Sequence, residues 1–298
     1  MTDTDDHLAA LDEFALLHEN AEQASVDHVP PVQRIHSGGI SALRWGSAPP
    51  RLVFLHGGGQ NAHTWDTVIV GLGEPALAVD LPGHGRSAWC DDGDYGPTRN
   101  AEALQPALRD WAPAAQLFVG MSLGGLTAIR LATDAPDLVR RLVLVDVTPS
   151  APHRHLEMTD EQKGTVALVQ GERIFDSFAA MLDATVATAP HRDRKSLRRG
   201  VFHNSKRRDD GTWTWRYDTI RKGEGFDDLW DAVPALTTPT TLVRGANSAF
   251  VNDDDADEFA RIAPGFRGVQ MVADSGHSVQ SDQPKALIAI LRAVLEQT

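Results

Sequence analysis

Short apolar runs alternate with helical patterns along most of the chain, and this alternation predicts the fold class. The apolar runs have the length of buried strands, and apolar residues in the stretches between them recur at helical spacing. Such alternation indicates βαβ units and a mostly parallel sheet that is covered on both faces. We therefore predict an α/β fold whose first strands form an antiparallel hairpin around Ser37-Gly38-Gly39 at the sheet edge. The predicted strands are 42–45, 52–55, 76–79, 117–119, 142–147, 240–243 and 269–273, and the predicted helices are 101–111, 125–135, 254–262 and 284–295.

Two stretches do not follow this alternation. Residues 7–22 have apolar positions at roughly helical spacing, and Pro30-Pro31 ends any helix before the strands begin. About ninety residues separate the strand ending near residue 149 from the strand beginning near residue 238, and their pattern is helical. Loops of that length without structure of their own are uncommon in compact domains. We predict an N-terminal helical extension (1–28) outside the main fold, a core (29–149 and 238–298) and an inserted helical cap (150–237).

Composition and charge narrow the class of protein. The 298-residue chain has a formal net charge of −13, which argues against nucleic acid as a main partner because phosphate binding requires a basic surface. The single cysteine, Cys90, excludes an intramolecular disulfide and metal sites built from several cysteines. No apolar run approaches the ~20 residues of a membrane-spanning helix, and the acidic N-terminus differs from a secretory signal. We expect a cytoplasmic protein without a membrane span.

Two groups of polar residues carry weaker signals. Eight Lys or Arg residues are clustered between Arg192 and Arg208. This cluster is interpreted as a solvated surface helix paired with neighbouring acids, with an anion site as the alternative. His153 and His155 form an isolated pair without a supporting ligand cluster, so no metal site is predicted.

The segment Gly120-Met121-Ser122-Leu123-Gly124 places a serine between a predicted strand and a predicted helix. The flanking glycines are required because side chains there would crowd a tight strand-to-helix turn. Such a turn lifts the hydroxyl of Ser122 clear of the sheet and sets it at a helix N-terminus, where backbone N–H groups face a developing negative charge. The segment predicts a nucleophile, and a helix-capping serine flanked by packing glycines is the alternative.

A serine hydroxyl requires a base and an oxyanion site before it can act in acyl transfer. His277 follows the last predicted strand, so its loop lies at the same edge of the sheet as Ser122. Strand 52–55 leads directly into His56-Gly57-Gly58-Gly59, where glycines allow backbone N–H groups to point into a pocket. We predict the N–H groups of Gly58 and Leu123 as the two donors. A phosphate-binding loop is not favoured, because no Gly-Lys-Ser/Thr follows.

The chain resembles the α/β-hydrolase fold superfamily, and within it bacterial serine carboxylesterases with a helical cap. The resemblance extends from about residue 40 to the C-terminus, excluding the cap. It implies an eight-stranded sheet, a Ser–acid–His triad, no cofactor and a cap over the site, with structural rather than catalytic roles for Asp80 and His84. The matching motifs are His56-Gly57-Gly58-Gly59, Asp80-Leu81-Pro82-Gly83-His84-Gly85-Arg86-Ser87, Gly120-Met121-Ser122-Leu123-Gly124-Gly125 and Gly276-His277.

The acid of the implied triad is the point at which the chain departs from the common pattern. Many relatives carry it three residues after the glycine that ends the seventh strand, and here that position holds Ser248. Asp146, at the end of the sixth strand, is our first candidate, because some branches of the family carry their acid there. Asp253 is the alternative, although its place before a predicted helix also suits a capping residue.

These residues predict a serine hydrolase that cleaves small to medium carboxylic esters through an acyl-enzyme on Ser122. Aromatic residues of the predicted cap are expected to form the acyl or alcohol pocket or to pack the cap onto the sheet: Phe175, Phe178, Trp213 and Trp215. A C–C bond hydrolase with the same triad is one alternative. The other is a non-catalytic small-molecule receptor on the same fold, which Ser248 in the usual acid position keeps open.

Overall fold

A computed structural model describes residues 8, 10–171, 173–221, 223 and 225–297 of the chain. Within them, an eight-stranded sheet has the order β1-β2-β4-β3-β5-β6-β10-β11. The β1–β2 and β2–β4 pairs are antiparallel and the remaining pairs are parallel. The strands are β1 (Val32–Ser37), β2 (Ile40–Trp45), β3 (Leu52–Leu55), β4 (Ala76–Asp80), β5 (Leu117–Met121), β6 (Leu142–Val145), β10 (Thr240–Gly245) and β11 (Phe266–Val272).

Helices cover both faces of this sheet. The four central strands, β3 to β6, are buried along their whole length, as parallel strands between two helical layers must be. No helix among the described residues is long and apolar enough to cross a bilayer. The helices of the core are α2 (Asp66–Leu72), α3 (Pro97–Trp111), α4 (Leu123–Asp134), α10 (Asp253–Ile262), α11 (Val279–Asp282) and α12 (Pro284–Glu296).

The N-terminal extension differs from its prediction in extent and in position. Residues 1–7 lie outside the described residues; beyond them the chain turns at 13–16 and forms helix α1 (Leu17–Ala24). Leu17 and Ala21 belong to the same hydrophobic cluster as Ile69 of α2. The prediction of a helix over 7–22 outside the main fold is therefore wrong: α1 is part of the layer that covers the sheet.

The segment between β6 and β10 contains helices together with a small antiparallel sheet that its sequence pattern did not predict. The strands of that sheet have the order β7-β9-β8, with two or three residues each. A separate hydrophobic cluster fills the segment, and Leu8 of the N-terminal extension packs into it. The elements are α5 (Ala151–Glu157), α6 (Asp160–Lys163), β7 (Ile174–Phe175), α7 (Phe178–Thr188), α8 (Arg194–Asn204), β8 (Ser205–Arg207), β9 (Trp213–Trp215) and α9 (Leu229–Ala232).

Candidate active site

Ser122 occupies a strained turn between β5 and α4. Its backbone has φ 50° and ψ −122°, a conformation that is unfavourable for a residue with a side chain. A side chain on Gly120 would lie 2.6 Å from the carbonyl oxygen of Gly124, and one on Gly124 would lie 2.3 Å from that of Leu55. The two glycines thus allow β5, α4 and β3 to approach closely enough to hold Ser122 in this turn.

The hydroxyl of Ser122 is not used to cap the helix that follows. Ser122 stands at the N-cap position of α4, yet its side chain makes no capping hydrogen bond. The residue is partly exposed, whereas Met121 and Leu123 on either side are buried. The capping alternative therefore does not describe this serine.

Asp146 and His277 form a buried pair. His277 Nδ1 lies 2.8 Å from Asp146 Oδ2, and the side chains are 6% and 0% exposed. The other ring nitrogen, Nε2, is buried and has no hydrogen-bond partner among the described residues. Asp146 holds Nδ1 as the protonated nitrogen, which leaves the lone pair on Nε2 for another proton.

Ser248, at the position where the resemblance places the acid in many relatives, contacts Asp146, the first candidate for that acid. Its hydroxyl donates a hydrogen bond to Asp146 Oδ2, and the backbone N–H of Gly245 donates to Oδ1 over 3.1 Å. The ring of Phe250 stacks on the ring of His277, with centroids 3.5 Å apart and planes 10° from parallel. The carboxylate and the imidazole are thus each oriented by a residue from the loop after β10, which the sequence motifs did not reveal.

The order of the strands explains why Ser122, Asp146, Ser248 and His277 lie at the same edge of the sheet. Ser122, Asp146, Ser248 and His277 follow β5, β6, β10 and β11, which are consecutive neighbours in the sheet. The backbone N–H of Ser122 bonds to Val145 next to Asp146, and that of Asn247 bonds to Ser275 over 2.9 Å. Carboxyl ends of adjacent parallel strands lie at one edge, so residues far apart in sequence share one site.

Asp253, the alternative acid, lies away from this pair. Its carboxylate forms an ion pair with Arg244 at 2.8 Å, and its side chain is 90% exposed. It stands in the first turn of α10, whose N-terminus is closed by a capping box between Asn252 and Asp255. A negative charge in the first turn of a helix interacts favourably with the helix dipole. This interaction explains an acidic residue at position 253 without a contact to His277.

The glycine-rich loop after β3 is fixed by two buried histidines. His56 Nε2 accepts from the N–H of Leu81 and His84 Nε2 accepts from the N–H of Gly59, each over 3.0 Å. The Nδ1 atom of each ring lies within 2.9 Å of a backbone carbonyl oxygen. Burial lowers the pKa of His56 to about 3 and also lowers the pKa of His84, so both rings are neutral. Neutral rings protonated at Nδ1 can accept these backbone bonds at Nε2.

The carboxylate of Asp80 also fixes backbone near the glycine-rich loop. Its carboxylate accepts hydrogen bonds from the Arg34 guanidinium and from the backbone N–H groups of Ala62 and Arg86, at 2.7 to 3.0 Å. The side chain is fully buried. Asp80 thus ties the loop after β4 to the chain that follows the glycine-rich loop.

The two predicted oxyanion donors lie on either side of Ser122. Gly58 and Leu123 line the same cavity as Ser122. A side chain on Gly57, next to Gly58, would lie 3.2 Å from Ser122 Cβ, so this loop passes directly over the serine. Among the described residues, neither the N–H of Gly58 nor that of Leu123 donates a hydrogen bond. Both groups can therefore serve a negatively charged oxygen bound next to Ser122.

A cavity of about 460 Å³ adjoins Ser122, and its walls are mainly apolar. The four aromatic residues expected to line it instead form the hydrophobic core of the cap segment, so the prediction that they form the pocket is wrong. Phe175 packs edge to face against Trp215, and Phe178 packs in the same way against Trp213, a geometry that aromatic pairs prefer. Apolar side chains that do line the cavity are Met121, Leu123, Leu126, Val166, Val169, Ile220, Phe226 and Phe250.

The basic cluster of the cap segment pairs with acids of the N-terminal helix α1. Glu19 accepts from Arg198 and also from Arg199, the latter over 3.1 Å between side chains that are each 7% exposed. Glu22 pairs with Lys195 over 3.3 Å at the exposed rim. We call these contacts between α1 and α8 the N-terminal junction. They agree with the interpretation of the cluster as paired with acids, although Glu19 and Glu22 lie far from it in the sequence. Arg194 and Arg208 pair with the nearby Asp183 and Asp210.

His63, Asp66 and His203 form a compact group beneath this junction. Their ligand atoms lie within 4.8 Å of one another, and the two imidazole rings are stacked 3.8 Å apart and 12° from parallel. An imidazole nitrogen presents its lone pair in the plane of the ring, and nearly parallel planes do not converge on one ion. As oriented here, the group therefore does not fit a metal. Burial alone would lower the pKa of His63, but the carboxylates of Asp66 and Glu13 raise it to about 9.

Comparisons with known proteins agree with the fold. The model of the alpha/beta hydrolase family matches residues 52–290. Esterase Rv0045c of Mycobacterium tuberculosis is 68% identical over 294 residues, which cover 98% of this chain and 99% of that protein. A solved structure of that esterase aligns with a TM-score of 0.90 at 68% identity, covering 97% of this chain and 100% of the other.

A more distant protein sequence and a more distant solved structure also match this chain. The sn-1-specific diacylglycerol lipase ABHD11 of Mus musculus is 27% identical over 249 residues, which cover 79% of this chain and 78% of that protein. The solved structure of E-2-(acetamidomethylene)succinate hydrolase, 24% identical, aligns with a TM-score of 0.76 over 90% of this chain and 99% of its own. The sequence-based predictions of the eight-stranded fold and of the family are confirmed: this chain belongs to the α/β-hydrolase family.

Proposed function

We propose that this protein is a serine esterase that cleaves small to medium carboxylic esters through an acyl-enzyme on Ser122. The observation that carries the proposal is the buried Asp146–His277 pair, whose 2.8 Å contact leaves Nε2 without a partner among the described residues. Such a pair supplies the base that a serine hydroxyl lacks on its own. The 68% identical esterase of M. tuberculosis supports ester cleavage as the reaction.

The proposed reaction proceeds in two halves. His277 Nε2 takes the proton of Ser122 Oγ, which attacks the ester carbonyl carbon, and the N–H groups of Gly58 and Leu123 stabilise the tetrahedral oxyanion. The C–O bond to the alcohol then breaks, and the protonated His277 donates its proton to the leaving alkoxide. In the second half Nε2 takes a proton from a water molecule, which attacks the carbonyl carbon of the acyl-enzyme. The bond between that carbon and Ser122 Oγ then breaks, His277 returns the proton to Oγ, and the carboxylic acid is released.

The substrate class follows from the cavity beside Ser122. Its volume of about 460 Å³ and its apolar walls suit an acyl or alcohol group of small to medium size. A small-molecule ester as the partner and the cytoplasm as the location remain parts of this proposal.

A fluorophosphonate probe tests the nucleophile directly, because it reacts with an activated serine hydroxyl. We expect the wild-type protein to be labelled and Ser122→Ala to remain unlabelled, with parallel loss of p-nitrophenyl ester hydrolysis. Ser47→Ala, at an exposed loop position after β2, is the matched control and should label as the wild type does. A folded wild-type protein that takes no label would exclude the enzyme and favour the small-molecule receptor.

A chain-length series separates the esterase from the C–C bond hydrolase. Acyl chains of two to twelve carbons on p-nitrophenol should show an optimum among the shorter and middle lengths, since the cavity is limited. If a vinylogous diketone is cleaved by the Ser122-dependent enzyme while every ester in the series is not, the C–C hydrolase reading replaces ours.

A further inference from the structure

The cavity beside Ser122 differs in charge from the protein as a whole. The chain has 41 acidic and 28 basic residues, yet no Asp or Glu is found among the described residues that line this cavity. Arg173 is the single Lys or Arg among them. In an apolar cavity a fixed charge acts over a greater distance than in water, so the guanidinium of Arg173 attracts a negatively charged group there.

The guanidinium of Arg173 is held in place by Tyr217. It donates a hydrogen bond through Nη2 to the carbonyl oxygen of Tyr217, and its Cζ lies 5.2 Å from the centre of the Tyr217 ring. Tyr217 is itself 2% exposed, and its hydroxyl donates to the carbonyl of Leu168 over 3.2 Å. The arginine is thus positioned in advance, so little side-chain entropy would be lost when a ligand binds to it.

The second amino group of Arg173 is not satisfied. Nη1 is buried and has no hydrogen-bond partner among the described residues. A buried charged donor without a partner is unfavourable, whereas a hydrogen bond between a guanidinium and a carboxylate is one of the stronger polar contacts in proteins. An anionic group in the cavity would supply the missing acceptor.

The histidine in the cavity lining does not supply a second positive charge. His155 also lines the cavity, and burial, together with the charges of Lys163 and His277, lowers its pKa. His155 is therefore neutral near pH 7. A negative charge on a substrate thus has Arg173 as its partner in the described lining.

We propose that Arg173 is a specificity-determining residue and that the preferred substrates are esters that carry a carboxylate remote from the ester bond. The inference rests on the proposed function and narrows its substrate class. Arg173 binds the carboxylate, the apolar walls accommodate the chain between the two ends, and Ser122 attacks the ester carbonyl. The carboxylate belongs to either the acyl or the alcohol part, and both kinds of ester share the chemistry that Arg173 recognises.

The test compares charged and neutral esters of matched length. One arm uses mono-p-nitrophenyl esters of dicarboxylic acids with four to eight carbons against p-nitrophenyl esters of the corresponding monocarboxylic acids. A second arm uses acyl esters of hydroxy acids against acyl esters of simple alcohols. We expect the wild type to favour the charged member in at least one arm, and Arg173→Gln to lower its kcat/KM for that member by about 10- to 100-fold. The loss should lie in KM, because the remote contact is made before and during the reaction alike.

Three controls make the outcome decisive. Arg173→Lys keeps the charge and should recover part of the preference, and in both variants kcat/KM should fall by a smaller factor for the neutral esters than for the charged ones. Arg194→Gln removes an exposed arginine of α8, paired with Asp183, and should leave both ester classes unchanged. Thermal unfolding of each variant identifies a loss that reflects misfolding.

Equal effects of Arg173→Gln on charged and neutral esters would overturn the inference, and so would a wild type without preference in both arms. In either case Ser122-dependent hydrolysis of the neutral esters would leave the esterase proposal intact. Absence of all hydrolysis and of fluorophosphonate labelling in the wild type would instead refute the proposed function itself.

Discussion

Two regions of the molecule are held together in different ways. One is the edge of the sheet that carries Ser122, Asp146 and His277, and the other is the N-terminal junction between α1 and α8. At the sheet edge, strained backbone and close-packed glycines set the positions, and each side chain follows the end of its own strand. At the junction, α1 and α8 meet through long charged side chains such as Glu19 and Arg199. At the sheet edge, local sequence specifies each turn and the pairing of the strands brings the turns together, whereas the junction depends on side chains about 180 positions apart.

The difference shows why catalytic groups and the elements that cover them respond differently to mutation. Backbone-held groups are positioned within narrow limits, so the loss of one alters the chemistry more than the fold. A junction of ion pairs contributes to stability only where the charges are buried together, since exposed pairs are screened by water. The predictions below test this distinction.

The largest effect is expected from Asp146→Asn. An amide in place of the carboxylate favours the wrong tautomer of His277 and removes the charge that stabilises the imidazolium, and comparable changes in other triads lower kcat by about 10⁴-fold. Stability should change little, because the amide retains the shape of the carboxylate. We expect kcat for a p-nitrophenyl ester to fall by about 10³- to 10⁴-fold with KM nearly unchanged.

Asp253→Asn is the matched control for this variant. Its carboxylate is exposed and paired with Arg244, so kcat should stay within about twofold of the wild type. Full activity of Asp146→Asn, or a comparable loss in Asp253→Asn, would show that the acid has been assigned to the wrong residue.

The turns at the sheet edge could be predicted from the sequence because each is marked by a short local pattern. The strand at 52–55, the glycines around Ser122 and the position of His277 after the last strand are patterns a few residues long. The acid was less certain, since Asp146 and Asp253 differ only in their three-dimensional neighbours. The contact between Ser248 and Asp146 could not be read from the chain, because it depends on the pairing of β6 with β10.

Other features lacked a local signal. The cap sheet has strands of two or three residues, too short for an alternating pattern to stand out. Helix α2 is buried along its whole length, so it lacks the amphipathic spacing that identifies a surface helix. The pairing of α1 with α8 joins segments far apart in sequence, and charge composition alone does not identify partners.

The next largest effect concerns the junction. Glu19→Gln leaves the guanidinium of Arg199 buried without a compensating charge, and removal of one member of a buried pair typically costs about 3–5 kcal/mol. We expect the free energy of unfolding, measured in urea, to fall by about 3 kcal/mol. Glu22→Gln removes an exposed pair with Lys195 and should cost less than about 0.5 kcal/mol. Similar losses in the two variants would remove the distinction between buried and exposed contacts at this junction.

A third prediction uses pH to examine the same region. The pKa of His63 is raised to about 9, so its charged form stabilises the fold fully below its ordinary value of 6.5, and this stabilisation is lost as pH rises through 9. The contribution has an upper limit of about 3 kcal/mol. We expect the free energy of unfolding to decline between pH 6.5 and 9 in the wild type, and to decline less in His63→Gln. His36→Gln, at an exposed position of β1, should keep the wild-type slope. Identical slopes in all three proteins would show that His63 does not bind an extra proton in the folded state.

The smallest effect returns to the sheet edge and concerns Ser248. Its hydroxyl donates to the same Asp146 oxygen that His277 contacts, so Ser248→Ala should loosen the carboxylate and lower kcat by about tenfold without a large change in stability. Ser248→Thr keeps the hydroxyl and should restore the rate, whereas KM for the same ester should stay near the wild-type value in both variants. Full activity of Ser248→Ala, or a rise in KM without a fall in kcat, would separate Ser248 from the positioning of Asp146.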